Sequence, residues 1–141
     1  MIVAKPIFLD TGFAIALLSP RDQYHSAARQ LAVELRTDPA RIVTTDAVIF
    51  EIGAALAKQA WRPAAIQFIK ALRDDPNVEI VATDSVLWQD AFDLFGARTD
   101  KEWSLTDCLS FVVMSRRDIT NALAADEHFR QAGFVPLMLA E

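Results

Sequence analysis

The chain has few of the residues that stabilise small secreted proteins or build nucleotide-binding loops. Its 141 residues include one cysteine, so no internal disulfide can form, which suits a reducing compartment. The four glycines are isolated from one another, so no glycine-rich phosphate loop is present. No apolar run approaches the roughly 18 residues that a membrane-spanning helix needs, and the first residues lack a signal-peptide pattern. We therefore expect a cytoplasmic protein without a membrane anchor.

Basic residues are also in short supply. Fourteen lysines and arginines stand against nineteen acids, and the net charge is −5. This balance argues against a protein held on nucleic acid by its overall charge, although it allows a nuclease whose metal ions offset its own carboxylates. Hydrophobic residues, at 52%, are frequent enough for a folded core. The length fits one domain, which we take as residues 1–141.

Short apolar strands alternate with helices along the whole chain. The predicted strands span residues 5–9, 41–44, 78–81, 119–123 and 134–137. The predicted helices span 13–18, 23–36 and 47–60, then run from Pro63 to about Asp74, from Thr83-Asp84 to about Leu94 and from Ser104 to about Arg116, and finally span 126–131. Periodicity, helix caps and proline or glycine stops set these bounds. The alternation predicts an α/β fold with a mainly parallel sheet covered on both faces.

Four acidic residues fall where predicted strands end or the following helices begin. They are Asp10 after the first strand, Glu51 in the helix after the second, Asp107 in the helix that begins at Ser104, and Asp126 after the fourth strand. Ligands of open α/β sheets bind outside the carboxyl ends of the strands, so we expect these acids near one edge. Like charges this close raise one another's pKa, and a divalent cation offsets that cost. Oxygen ligands suit Mg²⁺ or Mn²⁺ rather than zinc.

Each of these acids also has an ordinary structural explanation. Ser104 and Asp107 show the spacing of a capping box, and Asp10 and Asp126 stand where N-caps are expected. Glu51 can be read as a solvated helix residue, although its neighbours are mostly apolar. A carboxylate can cap a helix and also face a cleft, so the two explanations are compatible.

Other residue types offer no rival catalytic site. His25 and His128 have no ligand-like spacing and are expected at the surface, with a minor role for His128 left open because it lies close to Asp126. No Ser-His-Asp arrangement is supported. Trp103, which precedes Ser104, is expected in the core, with a stacking role beside the site left open.

Four segments resemble the PIN domain, and specifically its VapC-type toxin branch. They read FLDTGFAIALL, IFEIGAALAK, WSLTDCLSFVVM and ALAADEHFRQAGF. The resemblance implies a three-layer α/β/α sandwich and a Mg²⁺- or Mn²⁺-dependent ribonuclease. It maps the family's acidic residues onto Asp10, Glu51, Asp107 and Asp126, with Thr11 and Ser104 as supporting hydroxyls. Many relatives have a threonine two residues before the last acid, where this chain has Ala124, and that difference puts the strength of a metal contact by Asp126 in question.

The expected reaction is hydrolysis of an RNA phosphodiester bond by a metal-activated water, leaving a 5′-phosphate and a 3′-hydroxyl. Asp10 and Asp107 are the expected metal ligands, Glu51 a ligand or general base, and Asp126 a ligand of a second ion. Positive side chains near single-stranded RNA would supply salt-dependent binding. The candidates are Arg98, Lys101, Arg116, Arg117 and Arg130, each of which can also be a solvated surface charge.

The VapC resemblance also implies a cognate antitoxin. Because a guanidinium pairs with carboxylates in a bidentate fork, we expect the antitoxin to place an arginine or lysine among the four acids. The apolar stretch 50–56 and the corner at Trp61 are candidates for its groove or for a homodimer face, unless they are plain core.

Three other functions stay open. One is an RNA-processing PIN nuclease that is not a toxin, and another is a PIN-like binding module without catalysis. The third is a receiver-like signalling domain that binds Mg²⁺. A receiver-like domain needs a lysine late in the chain, and no lysine follows Lys101.

Overall fold

A central sheet of parallel strands organises the fold. The computed structural model describes residues 5–139. Within that range the strands are β1 (Ile7–Leu9), β2 (Ile42–Thr45), β3 (Val78–Val81), β4 (Asn121–Leu123) and β5 (Val135–Pro136). They pair in the order β3-β2-β1-β4-β5, and each of these pairs is parallel. The parallel sheet predicted from the alternating pattern is therefore confirmed.

Helices cover both faces of this sheet. In the described part of the chain they are α1 (Thr11–Leu18), α2 (His25–Thr37), α3 (Asp46–Ala55), α4 (Arg62–Asp74), α5 (Ser85–Ala97), α6 (Leu105–Arg116) and α7 (Glu127–Gln131). Helices α1 to α4 lie in the connections from β1 to β3, and α5 to α7 lie in those that return past β1 to β5. Parallel crossovers are right-handed. Connections that proceed from β1 toward β3 and connections that return toward β5 therefore place their helices on opposite faces of the sheet. The result is the expected three-layer α/β/α sandwich.

No helix within residues 5–139 combines the length and the apolar character needed to cross a bilayer. The longest described helices, α2, α4 and α5, have 13 residues each. A membrane-spanning helix needs about 20 residues because it rises 1.5 Å per residue through a hydrocarbon layer of about 30 Å.

Helix α6 is buried along most of its length, as its apolar sequence predicts. The Phe111 ring packs edge-on against Trp103 and against Phe129 in α7, with ring centroids 5.0 Å apart in both pairs. Trp103 is buried, and its Nε1–H donates to Gln131 Oε1 at 3.0 Å. Trp103 is therefore a core residue that joins α6 to α7, and its ring is not a platform for stacking bases.

One helix ends earlier than the sequence indicates. The predicted helix over residues 47–60 stops at Ala55, and the Leu56 side chain turns into the core. The Lys58 carbonyl then accepts the Trp61 backbone N–H at 2.9 Å, which begins the turn into α4. The segment contains no proline that would mark this end in the sequence, and Leu56 is buried at the C-cap position.

Candidate active site

The four predicted acids gather where the strand order of the sheet reverses. From β1 the chain proceeds outward to β2 and β3, and it then returns to the other side of β1 as β4. This topology leaves a crevice between the carboxyl ends of β1 and β4, the usual ligand position in open α/β sheets. Asp10 follows β1 directly, and Asp126 comes three residues after β4 ends. Acids far apart in sequence therefore meet at one edge.

The crevice opens into a cleft of about 570 Å³. The acidic residues that line it are Asp10, Asp22, Glu51, Asp107, Asp126 and Glu127. No lysine or arginine from the described residues lines the cleft. So much negative charge in one cleft favours bound cations, which offset the repulsion between carboxylates.

Asp10 is buried beside the other acids and is only 7% exposed. Burial, and after it the charges of Asp107, Glu51 and Asp126, raises the pKa of Asp10 to about 7, although the Thr11 backbone N–H opposes the rise. Asp10 occupies the N-cap position of α1, yet its side chain makes no capping hydrogen bond to the described residues. The plain capping explanation therefore does not account for Asp10. Carboxylates with strongly raised pKa values in clefts are typical of functional sites.

Asp107 caps α6 and also lines the cleft. The Asp107 backbone N–H donates to Ser104 Oγ, and the Ser104 backbone N–H donates to Asp107 Oδ2, both at 3.0 Å. The capping box predicted from sequence is thus confirmed. These two hydrogen bonds fix the rotamer of Asp107, so its carboxylate is held in place before any ligand binds.

Thr11 fixes Glu51 across the cleft. The Thr11 hydroxyl donates to Glu51 Oε1 at 2.6 Å, which links the start of α1 to the second turn of α3. Glu51 is half-buried and lines the cleft with Thr11 and Asp10. The contact explains how the hydroxyl at position 11 supports the acidic cluster.

His128 is the site residue that sequence reasoning underrated. It was expected at the surface, but its Nδ1 lies 3.0 Å from Asp107 Oδ2 and 3.3 Å from Asp126 Oδ2. The signal was the spacing of His128 two residues after Asp126, because a side chain in the first turn of α7 stays close to its N-cap. Its contact with Asp107 could not be read from sequence, since it depends on how α6 and α7 pack.

Asp126 is oriented without the threonine that many relatives have two residues earlier. The His128 backbone N–H donates to Asp126 Oδ1 at 2.9 Å and so caps α7. Ala124, at the threonine position, is fully buried. The cap holds Asp126 from within its own helix, so the missing hydroxyl at position 124 leaves this carboxylate anchored.

Comparison with family models shows what the chain is related to. A model described as the PIN domain matches residues 7–135. The chain belongs to the PIN-domain family. It is 31% identical over 129 residues to the 23S rRNA-specific endonuclease VapC20 of Mycobacterium tuberculosis (strain CDC 1551 / Oshkosh), a match covering 92% of this chain and 95% of that protein. The same values hold for VapC20 of strain H37Rv.

Solved structures agree with this assignment. The crystal structure of Mycobacterium tuberculosis VapC20, described as a Sarcin-Ricin loop cleaving toxin, matches with a TM-score of 0.82 and 30% identity, over 92% of this chain and 97% of that one. FitAcB from Neisseria gonorrhoeae matches with a TM-score of 0.59 and 16% identity, over 94% and 99% of the two chains, and so shares the fold. The VapC-type PIN resemblance seen in the sequence is confirmed.

The predicted RNA contacts of this PIN domain lie outside the cleft lining. Arg98 donates twice to Asp100, at 3.0 and 3.1 Å, and its guanidinium lies 5.0 Å from the centroid of the Trp103 ring. The remaining pairs are Lys101 with Asp100, Arg116 with Asp90, Arg117 with Glu79 and Arg130 with Glu127. Exposed ion pairs are worth little, so RNA phosphates can compete for these side chains.

The two ends of α6 differ in their distance from the acids of the PIN domain. Arg116 is nine residues after Asp107 in α6, which corresponds to about 13 Å along the helix axis. Arg116 and Arg117 can therefore contact only RNA that extends well beyond the cleft. Arg98 and Lys101 lie in the segment that leads into α6, nearer to Asp107 along the chain.

The donor atoms in the PIN cleft and directly beside it fit a divalent metal ion. Asp107, Asp126 and His128 each offer a ligand atom, and these atoms lie within 4.8 Å of one another. Asp10 and Glu51 add carboxylate oxygens to the same cleft. A donor set dominated by carboxylates suits Mg²⁺ or Mn²⁺, whereas structural zinc sites are built mainly from thiolate and imidazole.

Proposed function

We propose that this PIN-domain protein is a metal-dependent endoribonuclease and the toxin of a toxin–antitoxin pair. The observation that carries the proposal is the cleft lined by six acids and, among residues 5–139, by no lysine or arginine. An RNA phosphate can enter such a cleft only if cations offset the repulsion. The similarity to VapC20, a 23S rRNA-specific endonuclease, supports the same class of reaction.

The acidic residues of the cleft have two roles in this proposal, metal binding and proton transfer. A bound Mg²⁺ or Mn²⁺ would polarise the scissile phosphate and lower the pKa of a water molecule. We assign binding of one ion to Asp10 and Asp107, and binding of a second ion to Asp126, with Asp107 shared between the two. Glu51, held by Thr11, binds metal or accepts the proton of the attacking water. Attack in line with the leaving group would produce a 5′-phosphate and a 3′-hydroxyl.

A loop of ribosomal RNA is the substrate that we propose, by similarity to VapC20. Intact ribosomes and protein-free total RNA, each incubated with the protein and Mn²⁺, would be mapped for new 5′ ends by sequencing. A single strong site in 23S rRNA supports this substrate. Cuts spread over other RNAs, with 23S rRNA intact, would favour the RNA-processing nuclease instead. We place the activity in the cytoplasm, where ribosomes are found.

Mn²⁺ or Mg²⁺ should raise the melting temperature of the protein. A ligand that binds only the folded state at 100 times its Kd adds about 2.7 kcal/mol to the free energy of unfolding. Thermal melts in EDTA and in millimolar Mn²⁺ measure the rise, which Asp10→Asn should reduce. Asp74→Asn, an exposed acid at the end of α4, is the control and should keep the full rise. A melting temperature unaffected by Mn²⁺ would refute the metal site.

The partner that we propose is a small antitoxin that places an arginine or lysine among the cleft acids. Bidentate pairing of a guanidinium with carboxylates would block the metal ligands directly. This chain would be expressed alone and together with the product of the adjacent reading frame, followed by growth measurement and co-purification. Arrested growth that the neighbour relieves supports the pair. If the chain is harmless alone and no neighbour-encoded protein binds it, the toxin assignment fails.

The homodimer stays a prediction from the sequence, and we propose for it a face other than the stretch 50–56. In the stretch 50–56, Ile52 and Leu56 are core residues, although Phe50 is 78% exposed. A broader apolar surface lies on α5, where three half-exposed aromatic rings recur at helical spacing: Trp88, Phe92 and Phe95. Exposed aromatic patches of this kind are typical of interfaces. We propose that the same stripe on a second copy covers it, as an isologous contact requires.

A charge in this stripe should convert the dimer to a monomer. Phe92→Glu would bury a carboxylate at the centre of the contact, since Phe92 stacks with Trp88 at a centroid distance of 5.2 Å. Light scattering after size-exclusion chromatography measures the mass. Val33→Glu, a half-exposed apolar residue on α2, is the matched control and should leave the mass unchanged. A wild-type protein that is monomeric at high concentration would exclude the dimer.

A further inference from the structure

The position of His128 bears on which metal the cleft selects. Its Nδ1 is 3.0 Å from Asp107 Oδ2 and 3.3 Å from Asp126 Oδ2. In an octahedral site with bonds of about 2.1 Å, adjacent ligand atoms lie about 3.0 Å apart. Nδ1 therefore already lies at about the separation of a neighbouring ligand from each of the two carboxylates.

The capping pattern of α7 indicates that the ring faces the metal side of Asp126. Asp126 Oδ1 is engaged by the His128 backbone N–H, which leaves Oδ2 as the oxygen available to a cation. His128 Nδ1 lies beside this available oxygen. Nδ1 also contacts Asp107 Oδ2, which itself accepts the Ser104 backbone N–H.

We propose that His128 Nδ1 is a nitrogen ligand of the ion held by Asp107 and Asp126, and that it makes the site selective for Mn²⁺ over Mg²⁺. The inference rests on the proposed metal-dependent function. Mg²⁺ takes oxygen ligands and loses its waters reluctantly, whereas imidazole binds transition metals. The ring binds through the lone pair of Nδ1, so in the bound form Nε2 carries the ring proton.

Pulsed EPR of the Mn²⁺ complex tests the bond itself, because a directly bound ¹⁴N nucleus modulates the electron spin echo. The chain has two histidines, so the other one provides a matched control. His25 Nδ1 is 2.7 Å from the Ala16 carbonyl oxygen, a contact outside the acidic cluster. Wild type and His25→Ala should show the nitrogen modulation, and His128→Ala should lack it.

Titration calorimetry tests the selectivity. Wild type should bind Mn²⁺ at least about tenfold more tightly than Mg²⁺. In His128→Ala the Mn²⁺ affinity should fall about 10- to 100-fold, which is the loss seen even when a group that only hydrogen-bonds to a metal ligand is removed. The Mg²⁺ affinity should change less. His128→Asn retains a polar side chain and the backbone N–H that caps α7, so it controls for folding and should lose the same selectivity.

Two negative results would lead to different conclusions. Mn²⁺ binding without nitrogen modulation, at equal affinity in wild type and His128→Ala, overturns the nitrogen ligand and leaves the metal-dependent nuclease standing. Absence of binding for both ions in the wild type overturns the proposed function as well.

Discussion

Asp107→Asn should abolish metal-dependent RNA cleavage and leave the fold intact. The asparagine oxygen can still accept the Ser104 backbone N–H, so the cap of α6 survives, while the charge to which we assign metal binding is lost. Removal of one preorganised electrostatic group typically costs about 10²- to 10³-fold in rate, and loss of a metal ligand should reach at least that. Single-turnover cleavage of a labelled RNA in Mn²⁺ measures the activity, and circular dichroism checks the fold.

A capping acid outside the cleft provides the control for this substitution. Asp84 caps α5 by accepting the Leu87 backbone N–H at 2.8 Å and does not line the acidic cleft. Asp84→Asn should cleave RNA at the wild-type rate.

In EDTA, Asp107→Asn should be at least as stable as the wild type, because a repulsion between carboxylates is removed. Strong destabilisation of Asp107→Asn in EDTA would favour a purely structural cap.

Asp10→Asn should stabilise the metal-free protein at pH 8. The pKa of Asp10 is about 7 in the folded protein against 3.8 for the ordinary group, so the folded state holds its proton more tightly. Metal-free wild type therefore loses stability as the pH rises from about 4 to about 7, and little more above that. A shift of this size corresponds to ~4 kcal/mol. Asparagine carries no charge, so Asp10→Asn avoids this loss of stability.

Urea denaturation in EDTA from pH 4 to pH 8 measures this difference. The two proteins should have equal free energies of unfolding near pH 4 and diverge as the pH rises. Asp74→Asn should follow the wild type throughout. With Mn²⁺ present the order should reverse at pH 8, because the wild type gains metal binding that Asp10→Asn lacks. A difference between the two proteins that does not grow between pH 4 and pH 7 would contradict the raised pKa of Asp10.

Sequence reasoning located the acids because their positions are local. Asp10 directly follows an apolar run, and Asp107 stands three residues after Ser104, so strand ends and caps could be identified from a few neighbouring residues. These local patterns also gave the parallel sheet and the positions of its strands to within two residues. The quoted segments added the family, which the comparisons confirm.

The remaining features depend on tertiary contacts that no short segment encodes. The place of β4 beside β1, which brings Asp126 next to Asp10, follows from how the whole sheet assembles. Asp22 enters the cleft from the loop between α1 and α2, where the sequence marks it only as a turn residue. The contact between His128 and Asp107 appears only when α6 and α7 pack together.

The aromatic rings packed between α6 and α7 connect the hydrophobic core to the acidic cleft. Asp107 is carried by one of these helices and His128 by the other, and Phe111 and Phe129 pack between them. The separation of these two side chains therefore depends on how the aromatic groups pack in the core. During evolution, an exchange at either ring would alter this separation along with stability, and with it the affinity of the metal site that we propose. Lineages that refine their metal preference should consequently accumulate paired substitutions in the core, at a distance from the acids themselves.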